Sequence, residues 1–152
     1  MSADFSTQNM NGNAFRMADA LLRSNGGTTA YLQMPPAAED ATDAGQLGID
    51  APNFQQLPLS PAVFRRVRAT MTEGEPAKYE LVVSGAAVQA AVGAMQVASA
   101  DLLFRMAAGL AVAGELFLIE AVSLSECLGA VYSYRLLLRE SASGWQMQTT
   151  QD

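Results

Sequence analysis

Apolar and polar residues alternate in two rhythms along this chain, and the switches between them mark its elements. Over residues 13–23, Phe15, Ala18, Leu21 and Leu22 share one stripe, with Arg16, Asp19 and Arg23 off it. That spacing predicts a short amphipathic helix. Asn25-Gly26-Gly27 follows as a stop, because glycine accepts the left-handed backbone a helix end needs. Residues 28–34 (TTAYLQM) then read as a strand. Ahead of the helix, residues 1–12 are polar and are expected to form a flexible N-terminus.

The two-residue rhythm returns after residue 61. Residues 62–71 (AVFRRVRATM) form a candidate strand, and Glu73-Gly74-Glu75-Pro76 is a turn signal. In residues 78–83, Tyr79, Leu81 and Val83 alternate with Lys78 and Glu80, so a hairpin is expected across 62–83. Residues 84–95 are alanine-rich, with Val88 and Val92 four apart, and read as a short helix. A second is expected over 99–107, with Ser99 as N-cap and Leu102, Leu103 and Met106 as its apolar side. Residues 110–112, the turn Ala113-Gly114 and residues 115–122 read as strand, tight turn, strand. Residues 126–129 read as a loop. Residues 131–140 form a last strand, with Tyr132, Tyr134, Leu136 and Leu138 on one face and Ser133, Arg135 and Arg139 on the other. Residues 141–152 are a polar C-terminal tail.

These elements predict a mainly β fold: one small antiparallel β-barrel or sandwich over 13–140, with an N-terminal helix and one or two short helices. Residues 35–61 form its long inserted loop. They hold five of the six prolines, four acids and no basic residue. Proline removes a backbone donor, so regular sheet is not expected there. Leu47, Ile49, Phe54, Leu57 and Leu59 give the loop apolar positions that a solvated linker does not need.

Composition narrows the chemistry. The 152 residues are 50% apolar and carry a net charge of −6, so the chain is long and apolar enough to bury a core. Histidine is absent, which removes Ser/His/Asp triads, Cys–His dyads and His-bearing zinc sites. Cys127 stands alone, with no internal disulfide to form and no histidine to activate it, and reads as a small apolar filler. The first 15 residues hold no Lys, no Arg and no apolar run, which predicts no secretory signal. Residues 81–100 are uncharged but mostly Ala and Val with no basic flank, and read as packed interior rather than a membrane span.

Candidate sites are few. A calcium loop starting at Asp40 places Gly45 correctly but has Ala44 and Ala51 where oxygen ligands belong, so no metal site is expected. Glu115 and Glu120, five apart on a strand, point to opposite faces, which argues against paired carboxylate catalysis. Glu120 shares a face with Leu116, Leu118 and Val122, and Arg135 or Arg139 across the hairpin would partner it. Arg65, Arg66 and Arg68 form the only basic cluster, with Arg65 facing one way and the other two the opposite way. They are too few and too two-sided for a nucleic-acid groove, and suit carboxylates on a partner subunit. No catalytic residue and no cofactor is expected.

The last third has a recognisable cadence. Asp101-Leu102-Leu103, the run Gly109-Leu110-Ala111-Val112-Ala113-Gly114-Glu115, Leu118-Ile119-Glu120-Ala121-Val122 and the strand 132–140 follow in order. Over residues 62–140, most clearly 101–140, this resembles the head-closure (stopper, or head–tail joining) neck proteins of tailed bacteriophages. The resemblance implies a small β-barrel with a long loop, assembled as a ring of identical subunits in the virion. Its partners would be copies of itself, a portal or adaptor protein and tail proteins. DNA would pass through the lumen without sequence-specific binding, and no membrane is involved. Such rings work through interfaces, and Phe54, Leu57, Arg65, Arg66 and Arg68 are the candidate subunit-interface residues. The helices expected in 84–108 and 13–24 exceed a minimal barrel and leave room for another tail component, such as a tail-terminator-like protein. A stand-alone small-barrel binding module and a carboxylate-only hydrolase are the alternatives from other classes.

Overall fold

The computed structural model describes residues 3–36, 54–67 and 77–141, with side chains from residue 12 onward. Helix α1 (Ala3–Ser24) leads into β1 (Thr28–Met34), β2 (Gln55–Val67) and β3 (Lys78–Ser84). Helices α2 (Gly85–Met95) and α3 (Ala100–Met106) cross to β4 (Gly109–Val112), β5 (Glu115–Cys127) and β6 (Ala130–Glu140). The six strands close into an antiparallel barrel in the order β1-β2-β3-β6-β5-β4. The expected small β-barrel is therefore present, with three helices among the described residues.

Alternation builds the interior. Leu32, Met34, Leu59, Leu81, Leu110, Phe117, Leu136 and Leu138 point inward and are fully buried. Each such side chain contributes about 1.5–3 kcal/mol on burial. Near the end where β3 begins and β6 finishes, Phe64, Tyr79 and Phe117 meet with ring centres 5.0–5.3 Å apart. Around α2 and α3 the core continues through Val88, Leu103 and Phe104, and Phe104 lies 5.7 Å from the ring of Tyr134. Residues 81–100 contribute Leu81, Val83, Val88 and Ala91 to this interior. Among the described residues no single helix is long and apolar enough to cross a membrane; α2 and α3 reach that length only as a pair bent by 70°.

Both short helices start as their caps dictate. The Ser84 hydroxyl accepts the N–H of Ala87, and the Ser99 hydroxyl accepts that of Leu102. Gly85 opens α2 because there is no room for anything larger. A Cβ there would overlap the Val131 carbonyl and press on the Phe15 ring, so the missing side chain lets α1, α2 and β6 meet. The β4–β5 and β5–β6 connections are two-residue turns, Ala113-Gly114 and Leu128-Gly129, with positive φ at both positions. That is the type I′ form whose twist matches the strands it joins.

Several expectations need correction. Helix α1 begins at Ala3 rather than Asn13. The preceding residues lack an apolar stripe but contain no proline, and extending an anchored helix costs far less than nucleating one. Strand β2 begins at Gln55, so residues 55–61, expected as loop, are sheet despite Pro58 and Pro61. Pro58 aligns with Tyr31 where β2 has β1 alone as its neighbour, so the absent N–H costs no ladder bond on the other side. Pro61 sits in an irregularity between the Thr28 and Ala30 registers, a position that tolerates proline. In α3, Phe104 takes the buried place beside Leu103, while Leu102 and Met106 are exposed. Strand β5 runs on to Cys127, so the loop expected over 126–129 shrinks to its two turn residues. The acidic stretch 37–53, Arg68, the turn at 73–76 and the tail beyond 141 lie outside the described residues.

Candidate functional site

The outer faces of β2, β3, β6 and β5 carry the one built polar arrangement that spans several strands among the described residues. Alternation puts Tyr79, Leu81 and Val83 inside the barrel and Lys78, Glu80 and Val82 outside it. Register then places Arg65 beside Glu80. Both Nε and Nη2 of Arg65 donate to Glu80 Oε1, at 3.2 and 2.6 Å. From the other side Arg135 Nε approaches the same oxygen at 3.4 Å. The Glu80 carboxylate is only 13% exposed between two arginines that remain 62% and 60% exposed.

One step along the sheet a second carboxylate is held the same way. Glu120 lies 3.6 Å from Lys78 and 3.7 Å from Arg139. The ladder slips between Ile119 and Ala121, which makes Glu120 the extra residue of a bulge. A bulge re-aims a side chain, and here it turns Glu120 toward the two cations. Of the two arginines expected to partner Glu120, Arg139 does so and Arg135 goes to Glu80 instead. Beside the Glu80 cluster a groove of about 280 Å³ is lined by Glu80, Ala121, Val122, Ser123, Arg135 and Leu137.

Beside the groove β5 runs on past the end of its neighbour β4. Among the described residues, strand β4 pairs with β5 through Glu115, Leu116 and Phe117, and from Leu118 onward β5 has β6 alone as a strand neighbour. Val122, Leu124 and Leu128 are exposed along this stretch. A strand edge with exposed apolar side chains is a surface that proteins usually protect.

The barrel end below is a second polar spot. Tyr79 donates from its hydroxyl to Glu140 at 2.7 Å. That bond to a carboxylate raises the phenol's pKa above its ordinary value, with burial adding in the same direction and Arg66 opposing. Burial alone raises Tyr134.

The residues named from the sequence are dispersed. Arg65 belongs to the outer cluster, but its carboxylate comes from its own chain. Arg66 stands on the opposite face, aligned with Tyr79, as the alternation predicted. Arg68 lies outside the described residues. Leu57 is half-buried and packs against the core, and Phe54 is half-buried just ahead of β2. Sequence reading missed Glu80, Lys78 and Arg135 as one system. The signal was there, since a hairpin spanning 62–83 puts Arg65 opposite Glu80. Cys127 is half-buried beside the hairpin turn. No group of three or more acidic or thiol side chains that could hold a metal ion occurs among the described residues. Glu115 and Glu120 do not converge: Glu115 pairs with Val112 at the start of β5, and Glu120 is engaged by Lys78 and Arg139. The chain matches no protein-family model, no curated protein and no solved structure.

Proposed function

We propose that this chain is a structural subunit of the bacteriophage neck, a head-closure protein that assembles with copies of itself into a ring. The ring joins the portal or adaptor to the tail and helps retain DNA. The observation that carries this reading is where the polar chemistry sits. The barrel interior is filled with apolar side chains, and the organised charges and the exposed apolar residues of β5 lie outside, where they serve contact between subunits. The acidic balance suits a channel wall, because phosphate binding is chiefly electrostatic and a chain of net charge −6 lets DNA slide.

The test is particle composition. Tailed virions made from the genome that encodes this chain are purified and their proteins identified by mass spectrometry, with antibody labelling to locate the chain. The expected result is stoichiometric presence at the head–tail junction. Absence from purified virions overturns the proposal.

A further inference from the structure

We propose that the outer face of Arg65, Lys78, Arg135 and Arg139 receives the acidic surface of a second copy of this chain, in a head-to-tail contact. The inference rests on the ring reading above and assigns that ring a subunit-contact surface. Four cations against two carboxylates, Glu80 and Glu120, leave this face at +2. The whole chain totals −6, so the remainder carries −8. The cations keep 40–62% of their side chains exposed although each already touches a carboxylate. An arginine fork has five N–H donors, and one carboxylate does not exhaust them. The complementary acids are densest in residues 35–61, where Glu39, Asp40, Asp43 and Asp50 occur with no basic residue.

The charge pattern also selects the geometry. Two copies meeting face to face would oppose two positive surfaces. A basic face meeting a different, acidic surface gives a heterologous contact, the type that generates rings when the rotation closes. Double-stranded DNA is the competing occupant. Four cations are few for a duplex backbone, and among the described residues no aromatic side chain interleaves with them, so the face is poorly built for nucleic acid.

The full chain is examined by sedimentation velocity at about 20 mM and about 300 mM salt, across a concentration series. Expected is a mass that grows with concentration at low salt, with association weakened about tenfold or more at the higher salt. Two double variants follow, Arg135→Glu with Arg139→Glu, and Asp40→Lys with Asp43→Lys. Each alone should stay monomeric. An equimolar mixture should associate again, because the unaltered pair of surfaces and the charge-swapped pair are both complementary. Circular dichroism melts check folding, and Arg135→Gln with Arg139→Gln replaces the first variant if charge reversal unfolds it. A wild-type mass indifferent to salt and concentration overturns the inference. So does a mixture that stays monomeric, or a DNA duplex bound by wild type and released by the arginine variant. If the protein is found in virions but the mixture fails, only this contact is lost. If the mixture pairs but the protein is absent from virions, the neck reading falls and the contact stands.

Discussion

Glu80 shows how one side chain organises a surface. Its carboxylate is nearly covered, and two arginines share one of its oxygens. Exposed ion pairs usually contribute less than about 1 kcal/mol each, but removing a shared carboxylate leaves two like charges facing each other. Glu80→Gln is expected to lower unfolding stability by about 1 kcal/mol, with the loss shrinking at high salt, as measured by urea denaturation. Tyr79 gives the pH-dependent counterpart. Its phenol is raised above the ordinary 10.0 by the bond to Glu140, so the neutral form is favoured in the fold. The stability this contributes is present below pH 10 and is lost as pH rises through the elevated value. Glu140→Ala should bring the Tyr79 ionisation back toward its ordinary range in a spectrophotometric titration. An unchanged curve would show that Glu140 does not set it. The faces of Arg65 and Arg66 were legible from strand alternation alone. The Glu120 environment was only half legible, because a bulge shifts register without a mark in the local sequence.

Helices and strands obey local rules here except where neighbours override them. The cap at Ser99 and the turn Ala113-Gly114 stand where the sequence put them, while Ser84, expected inside its helix, caps it instead, and the loop expected over 126–129 tightens to the turn Leu128-Gly129. Two glycines of α2 then separate packing from propensity. Gly85→Ala forces a methyl into the Val131 carbonyl and should cost about 1–3 kcal/mol or prevent folding. Gly93→Ala meets nothing within 4 Å and should stabilise by about 0.5–1 kcal/mol. Thermal melts of the pair decide whether α2 is held by close approach to β6, and equal effects would refute it. The prolines of β2 were misread for a physical reason. Proline is excluded from a strand only where its missing donor is needed, and that depends on which neighbour lies alongside. Leu102 and Met106 were misplaced because a seven-residue helix can turn either of two adjacent stripes inward.

At the scale of the molecule, the six-stranded count was readable while closure was not. Closure requires β1 to meet β4 and β3 to meet β6, pairings between segments far apart in sequence. The filled interior predicts a sharp contrast between two leucines. Leu81→Ala, at a fully buried position, should cost about 2–5 kcal/mol. Leu124→Ser, at a position 53% exposed, should leave unfolding stability nearly unchanged and affect only association or solubility. Chemical denaturation of both variants provides the comparison. The β5–β6 hairpin has one more implication. Among the described residues, 126–131 pair only within the hairpin, while β6 is stitched to β3 from Ser133 to Arg139. Antiparallel ladder bonds run perpendicular to the strands. A tug on the tip along the strand axis therefore strains the whole row together, whereas a sideways tug opens it one rung at a time. The protein should resist mechanical traction far better in the first direction than in the second.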